Sequence, residues 1–215
     1  MKILELFCGT KCISSAFAKR GHETFTVDWE KSFEPSLCVD IGKLTVDDIL
    51  TLCNGKPNVI WASPDCTSYS VAGIWRHRTV NDDGMLVPKS EYARFCDEVN
   101  RHVISLIREV SPDLWFIENP RAGMRKADFM NDLNKYRYTV TYCQYGDFRM
   151  KPTDIWTNHP NPDFKQMCKC GDSCHVSSPR GSYTGTQGIV KRIDRSRIPE
   201  QLCKHIVDIC EKVVL

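Results

Sequence analysis

Short apolar runs alternate with segments of helical periodicity through the first 157 residues of the chain. The runs are rich in β-branched and aromatic side chains, which favours buried strands, and turn-forming residues separate them. Seven strands are predicted in this way, over residues 3–8, 22–28, 37–41, 58–62, 113–117, 139–144 and 154–157.

Four helices are predicted between and after these strands, over residues 12–20, from 45, over 90–110 and from 198. Thr45 can cap the second helix through its hydroxyl, and the two aspartates after Val46 suit the positive end of a helix. Ser90 can cap the long third helix in the same way. In the last helix Pro199 occupies the first helical position, where no backbone amide is needed.

The alternation of strands and helices predicts an α/β fold with a mostly parallel, doubly wound sheet. Residues 158–190 lose this periodicity and are rich in Pro, Gly, Ser and Cys. We therefore predict a main domain over residues 1–157, a small irregular subdomain over 158–197, and a C-terminal helix over 198–215 that packs back on the main domain.

The composition is that of an ordinary globular protein. Of 215 residues, 41% are hydrophobic and 26% are charged, and the net charge of +2 neither favours nor excludes nucleic acid. No apolar run approaches the ~20 residues that cross a bilayer, and the chain begins directly with a strand pattern rather than a cleavable signal. We therefore expect a cytoplasmic protein without a membrane partner, in which most of the 12 cysteines are reduced and buried.

The residues directly after the first three strands are candidates for a nucleotide pocket, because ligands of parallel sheets bind beyond the carboxyl ends of strands. Gly9 would let backbone amides approach a ligand. Asp28 can hold ribose hydroxyls, and Trp29 can stack on an adenine ring. Asp40 can accept the adenine amino proton, and Ile41 can pack against the ring. Each feature alone also fits a tight turn or a surface acid, but together they predict an adenosine pocket.

Two further strand ends present a thiol and a carboxyl group. Cys66 follows the fourth strand, and Glu118 follows the fifth. On neighbouring strands they would form a nucleophile and an acid, although Cys66 could also be one ordinary cysteine among twelve. The sixth strand leads to the basic residues Arg149 and Lys151.

In this order the motifs resemble those of the DNA cytosine-5 methyltransferases, specifically the short phage and bacterial members. Six segments carry the resemblance: Glu5–Gly9, Asp28–Trp29, Asp40–Ile41, Pro64–Gly73, Glu118–Asn119 and Tyr145–Lys151. The resemblance implies a Rossmann-like methyltransferase fold that binds S-adenosylmethionine (AdoMet), with DNA, most simply a duplex, as the partner. It also implies modification of phage or host DNA against restriction.

The resemblance further implies roles for individual residues. Cys66 would add to C6 of a cytosine flipped out of the helix, Glu118 would hold N3, and C5 would receive the methyl group. The implied catalytic residues are Cys66, Glu118, Asn119 and Arg149; the AdoMet-binding residues are Phe7, Gly9, Thr10, Lys11, Asp28, Trp29, Asp40, Ile41 and Pro64; and the DNA-binding residues are Ser70, Arg76, Arg78 and Lys151. The loop over residues 73–90 would close over the base, unless it is a solvated turn.

Several features depart from the family pattern. Asp65 replaces the usual proline before the cysteine, and like-charge repulsion from it is expected to raise the pKa of Cys66. Lys11 and Cys12 replace the later glycines of the first motif, and the last motif is not recognisable. These departures leave two alternatives open: a methyltransferase-like protein that binds nucleic acid without turnover, or an RNA cytosine-5 methyltransferase.

Residues 158–197 are too few for the usual target recognition domain, for which ~50 residues or more are expected. They carry the basic residues Lys165, Lys169, Arg180, Lys191, Arg192, Arg195 and Arg197, which either contact phosphates or form a solvated loop. The same region contains Cys168, Cys170, Cys174 and His175 in a spacing that is not a standard zinc finger. They predict either a structural zinc site, to which Cys143 could add a more distant ligand, or reduced surface thiols.

Overall fold

A computed structural model describes residues 1–176 and 189–214, so Arg180 lies outside the described residues. The described chain contains the strands β1 (Lys2–Leu6), β2 (Glu23–Asp28), β3 (Leu37–Cys38), β4 (Val59–Ala62), β5 (Arg78–Val80), β6 (Leu86–Pro88), β7 (Leu114–Pro120), β8 (Arg137–Thr141) and β9 (Pro152–Thr157). Its α-helices are α1 (Cys12–Ala18), α2 (Val46–Leu52), α3 (Ile74–His77), α4 (Glu91–Val110), α5 (Arg192–Ser196) and α6 (Glu200–Val214). Each helix of the described chain is too short or too polar to cross a lipid bilayer.

Seven strands form one sheet in the order β3-β2-β1-β4-β7-β9-β8. The first five strands in this order, β3, β2, β1, β4 and β7, are parallel to one another. β9 runs antiparallel to both of its neighbours, β7 and β8. The prediction of a mostly parallel α/β sheet is therefore confirmed. A separate antiparallel hairpin of β5 and β6 was not predicted, because its strands are short and lie within the polar loop over residues 73–90.

Helices cover both faces of the sheet, as the doubly wound prediction requires. Leu4 and Leu6 of β1 belong to one apolar core, which includes residues of α2 and α4. Ile3, which points to the opposite face of the same strand, belongs to a second core with Phe17 of α1 and Ile206 of α6. Continuous apolar strands are typical of a sheet buried on both sides, which explains the lack of alternation in β1.

The capping signals of α2 and α4 are present as predicted, but several strand boundaries differ. Thr45 and Asp48 form a reciprocal capping box at the start of α2, and the Ser90 hydroxyl accepts the amide of Ala93 (3.1 Å) at the start of α4. The predicted third strand ends early at Cys38, and the predicted strand over 139–144 gives way to a 3₁₀ turn over Tyr142–Tyr145. β7 continues to Pro120, because β9 pairs with its last residues. Glu118 and Asn119 therefore lie within a paired strand rather than a loop.

Candidate active site

The carboxyl ends of β1, β4 and β7 lie side by side. Leu6 is in register with Ala62, and Ala62 is in register with Ile117. The next residues of the two neighbouring strands, Ser63 and Glu118, are consequently adjacent at the edge of the sheet. The register thus brings the loop that carries the cysteine beside the carboxyl group, as expected from the order of the motifs.

Cys66 opens a tight helical turn beyond β4. Its carbonyl oxygen accepts the amides of Tyr69 (3.0 Å) and Ser70 (2.7 Å). Gly73 packs against this turn so closely that a Cβ at its position would lie 2.1 Å from the carbonyl oxygen of Thr67. The glycine of the motif is therefore required for steric reasons, because it lets the following chain fold back on the turn that holds Cys66.

Asn119 and Glu118 connect β7 to this loop. Asn119 is fully buried, and its side-chain amide donates to the carbonyl oxygen of Pro64 (3.1 Å), two residues before the cysteine. Glu118 is also buried and accepts a hydrogen bond from the Tyr142 hydroxyl (3.1 Å). Both side chains are thus held in place by contacts within the edge of the sheet.

Burial shifts the pKa of the Cys66 thiol and that of the Glu118 carboxyl group in the same direction. Burial raises the pKa of the Cys66 thiol, and the negative charges of Glu118 and Asp65 add to this, while Lys151 opposes it. Burial likewise raises the pKa of Glu118, again against Lys151. The surroundings therefore shift both groups toward their protonated forms, and the Lys151 ammonium favours the charged form of each.

Asp65 has two partners that account for its place before the cysteine. Its carboxylate accepts the amide of Thr67 (2.6 Å), which fixes the turn, and it forms an ion pair with Arg192 of α5. Burial would raise the pKa of Asp65, but the hydrogen bonds from Thr67 and the charge of Arg192 outweigh it and lower the pKa. Asp65 is therefore ionised, and it joins the Cys66 loop to the chain that follows the irregular region.

The turn after β1 lies against the end of β2. The Asp28 carboxylate accepts the amides of Gly9 (3.0 Å) and Glu30 (3.0 Å) and is 5% exposed. Phe7, Gly9 and Lys11 all have positive φ angles, of 56°, 43° and 55°, so the turn is strongly bent. Asp28 thus holds the bent turn through the amide of Gly9.

The other predicted cofactor residues surround this turn. Trp29 is 68% exposed, whereas Ile41 is buried and Asp40 accepts the amide of Gly42 (3.0 Å). Lys11 donates through its ammonium to the carbonyl oxygen of Glu34 (2.6 Å). Thr10 contacts the Cys12 thiol, and Pro64 is buried beneath the cysteine loop.

Glu5 is a buried acid whose structural role sequence reasoning missed. Its carboxylate accepts the amides of Ser14 (2.8 Å) and Ile13 (3.4 Å), so it caps α1 from within β1. Burial raises the pKa of Glu5 to about 7, although these hydrogen bonds oppose the shift. The signal in the sequence was a single acid within an otherwise apolar strand.

Replacing Glu5 with glutamine is expected to change how stability depends on pH. Because the pKa of Glu5 is higher in the folded state, about 7, than its ordinary value of 4.5, folded wild type loses stability as pH rises through this interval. The free energy of unfolding of Glu5→Gln relative to wild type should therefore rise by about 3 kcal/mol as the pH rises from below 4.5 to above 7. Urea denaturation at pH 5 and pH 8 measures this difference, and a pH-independent difference would contradict the assignment.

Arg78, which the resemblance implied as a DNA-binding residue, is buried inside the loop that follows the cysteine. Its guanidinium pairs with Asp97 (2.6 Å), donates to the carbonyl oxygen of Ser68 (2.9 Å), and lies 4.0 Å from the centre of the Tyr69 ring. Arg76, two residues earlier, is exposed and lies over the ring of Trp75. The contacts of Arg78 therefore do not favour the predicted DNA contact, and they anchor the loop to α4.

The variants Arg78→Ala and Arg76→Ala form a matched pair that separates these roles. Arg78→Ala leaves Asp97 without its buried partner, so we expect a loss of roughly 3–5 kcal/mol in the free energy of unfolding. Arg76→Ala should change it by less than about 0.5 kcal/mol. Denaturant titration of both variants checks the prediction, and equal stabilities would show that the Arg78–Asp97 pair does not hold the loop.

Arg149 and Lys151 differ in their relation to the reacting groups. Arg149 is buried, pairs with Asp147, and reaches the carbonyl oxygen of Arg195 (3.3 Å), so it anchors the chain before α6. Lys151 lies over the ring of Tyr142, 4.7 Å from its centre, and its charge acts on both Cys66 and Glu118. The contacts of Arg149 do not favour the catalytic role that the resemblance implied, whereas those of Lys151 place a cation at the site.

The cysteine-rich region forms a cluster with a different membership from the predicted one. Cys143, Cys168, Cys174 and His175 bring four ligand atoms within 4.8 Å of one another. Cys170 is exposed and is not a member of this group. The predicted ligand set is therefore wrong at Cys170, whose place is taken by the more distant Cys143.

One cleft of about 340 Å³ lies away from these strand ends. Ile104 and Arg108 of α4, Trp115 of β7 and Tyr136 contribute to its lining, which contains no predicted site residue. The strand ends, and not this cleft, therefore define the candidate site.

The fold is similar to that of solved α/β methyltransferases. The crystal structure of a candidate DNA modification methyltransferase encoded within a prophage of E. coli superposes with a TM-score of 0.52 and 13% identity. The match covers 73% of this chain and 46% of that chain. The likeness confirms the predicted Rossmann-like methyltransferase fold.

The chain is also similar in sequence to a viral protein. The chain is 27% identical over 226 aligned residues to a protein of Frog virus 3 (isolate Goorha) named probable DNA (cytosine-5)-methyltransferase, and the alignment covers 98% of this chain and 100% of the relative. No protein-family profile matches the chain. The relationship confirms the resemblance of the motifs to the DNA cytosine-5 methyltransferases.

Proposed function

We propose that this protein is an AdoMet-dependent DNA cytosine-5 methyltransferase with Cys66 as its nucleophile. The observation that carries the proposal is the joining of the Cys66 loop to β7, in which Asn119 bonds to Pro64 and Glu118 lies at the adjacent strand end. The Frog virus 3 relative, named for the same reaction, aligns across the whole of its length and supports the proposal.

The reaction needs a nucleophile because C5 of cytosine does not attack a methyl group unaided. The Cys66 thiolate adds to C6, and the electrons of the C5=C6 bond move toward N3, where protonated Glu118 donates its proton. AdoMet, when bound, would supply an electrophilic methyl group to C5 and leave as S-adenosylhomocysteine. As C5 takes the methyl group, the C4=N3 bond re-forms and the N3 proton returns to the Glu118 carboxylate. Loss of the C5 proton to water then restores the C5=C6 bond and expels the thiolate. The raised pKa of Glu118 suits this role, because a protonated carboxyl group can donate.

The residues at the ends of β1, β2 and β3 fit the adenosine part of AdoMet. Trp29 exposes its ring at this rim, and the carboxylates of Asp28 and Asp40 lie at successive strand ends. Gly9 provides a turn without a side chain next to Asp28. In the proposed complex Trp29 would stack on adenine, Asp40 would accept a proton of the adenine amino group, and Asp28 would accept hydrogen bonds from the ribose hydroxyls.

DNA would approach the surface formed by α3 and the chain just before it. Val71 and Trp75 are 78% and 63% exposed, and the Arg76 guanidinium lies 4.8 Å from the centre of the Trp75 ring. An exposed aromatic ring with an arginine suits stacking on bases, and the exposed basic residues Lys191 and Arg195 suit phosphate contacts. Because the target base must leave the duplex, exposed side chains such as these would fill the space that it leaves.

The proposal is tested by methyl transfer from labelled AdoMet to duplex DNA, single-stranded DNA and RNA of matched sequence. We expect label in duplex DNA, recovered as 5-methylcytosine after digestion to nucleosides. Label in RNA alone would assign the RNA reaction instead. A folded protein that binds AdoMet and labels none of the three would contradict the catalytic proposal.

A further inference from the structure

A second group of reactive side chains lies beside the candidate active site. The Cys143 and Cys168 sulfurs are 3.1 Å apart, and those of Cys143 and Cys174 are 3.6 Å apart. The Nδ1 atom of His175 lies 3.4 Å from the Cys174 sulfur and 3.7 Å from that of Cys168. The four ligand atoms therefore surround one point.

The backbone brings these residues together from three places in the chain. Cys143 lies in the 3₁₀ turn that follows β8, and the amide of Cys168 donates to the Thr141 hydroxyl at the end of that strand (3.0 Å). A turn then reverses the chain, and in this turn the Lys169 amide donates a hydrogen bond to the Asp172 carboxylate (2.7 Å). This reversal returns Cys174 and His175 to Cys168 and leaves Cys170 exposed.

We propose that Cys143, Cys168, Cys174 and His175 bind one structural Zn²⁺ ion. A tetrahedral zinc site with Zn–S bonds of about 2.3 Å and Zn–N bonds of about 2.0 Å places sulfurs ~3.8 Å apart and sulfur and nitrogen ~3.5 Å apart. The separations of 3.4, 3.6 and 3.7 Å agree with these values, and the shorter Cys143–Cys168 contact would open slightly on binding. Thiolate and imidazole ligands favour zinc over Mg²⁺ or Ca²⁺. Four protein ligands leave no open coordination position, which is typical of a structural rather than a catalytic zinc.

The ion would fasten residues 165–176 to the edge of the sheet. This segment is largely polar and exposed, so it cannot form an apolar core of its own. Its other attachments include hydrogen bonds from the Lys165 amide to the Tyr145 hydroxyl (2.9 Å) and from the Lys165 ammonium to the carbonyl oxygen of Gln144 (2.8 Å). Binding free energy at such a site is folding free energy for the segment that it holds.

A metal at this site would also restrict the position of Tyr142, which is a hydrogen-bond partner of Glu118. Tyr142, whose hydroxyl donates to Glu118, directly precedes the ligand Cys143 in the same 3₁₀ turn. A metal bound to Cys143 would restrict this turn and hence the position of the tyrosine. The inference of a metal site does not depend on the proposed reaction, but the restricted position of Tyr142 would connect the metal site to Glu118.

Metal analysis of the full chain, expressed with zinc and purified under reducing conditions, tests the inference. We expect about one equivalent of zinc in the wild type and near zero in Cys143→Ser and Cys168→Ser. Cys170→Ser is the matched control, because it removes an exposed cysteine of the same turn, and it should keep the metal. Cys66→Ala should also keep it, which separates this result from the test of methyl transfer.

Cobalt substitution provides a second measurement that does not depend on the folding of any variant. After chelation, wild type titrated with Co²⁺ should develop the thiolate charge-transfer band and intense d–d bands of a tetrahedral site at one equivalent. A reduced protein that binds neither zinc nor Co²⁺ would overturn the proposal. Equal zinc loss in Cys170→Ser, or a Cys143–Cys168 disulfide found by mass spectrometry in freshly purified protein, would do so too.

Discussion

Replacing Cys66 with alanine is expected to abolish methyl transfer while the protein still folds and binds AdoMet. Alanine cannot add to C6, so C5 is never activated, and a rate loss of at least roughly 10⁴-fold follows. The side chain is only partly buried and its turn is held by backbone hydrogen bonds, so the fold should tolerate the change. Transfer of label from AdoMet to the DNA substrate measures the loss.

Cys170→Ala is the matched control for this experiment, because it removes an exposed cysteine outside the site. Its activity should be close to that of the wild type. A DNA substrate with 5-fluorocytosine gives an independent test, since fluorine at C5 cannot leave as a proton and the covalent adduct should accumulate. Wild type should form this adduct, and Cys66→Ala should not. Methyl transfer by Cys66→Ala at near wild-type rate would exclude the proposed mechanism.

Replacing Glu118 with glutamine is expected to lower kcat/KM by about 10²- to 10⁴-fold near neutral pH, because the amide cannot transfer a proton to N3. The change should also alter the pH profile. In the wild type the gain of Cys66 thiolate with rising pH is offset above the pKa of Glu118, because the carboxyl group then loses its proton. In the variant only the thiol titrates, so its activity should keep rising toward the raised pKa of Cys66.

The ratio of variant to wild-type kcat/KM should therefore increase with pH once pH exceeds the pKa of Glu118. Measured rates across the neutral and alkaline range, with AdoMet saturating, provide this ratio. A ratio that does not change with pH would show that Glu118 acts without its proton. Lys151→Met tests the effect of the neighbouring ammonium. Because Lys151 lowers the pKa of both Cys66 and Glu118, its removal should raise both pKa values further.

Much of the fold follows from local patterns in the sequence. Apolar runs of strand length and residues recurring at helical spacing need no distant partner to be recognised, and Thr45 and Ser90 cap their helices through neighbours three residues away. The order of the motifs was also sufficient to bring Cys66 and Glu118 to adjacent strand ends, because consecutive parallel strands align their carboxyl ends. The hairpin of β5 and β6 was missed, since its strands are short and its position depends on Arg78.

The roles of individual polar side chains depend on partners that are distant in the sequence. Arg76 and Arg78 look equivalent in the sequence, and only the packing against Asp97 of α4 makes one of them buried. Asp65 pairs with Arg192, 127 positions later, which no local pattern indicates.

The sequence by itself therefore determined the class of fold, the order of the strand-end motifs and the proximity of Cys66 to Glu118. Only the tertiary structure decided which arginine anchors the loop and which cysteines form the cluster. Cys143 joins that cluster in place of Cys170 because the turn at Lys169–Asp172 folds the chain back onto the end of β8. Periodicity and caps are set by near neighbours, whereas charge pairing and ligand grouping are set by contacts that form only when the chain has folded.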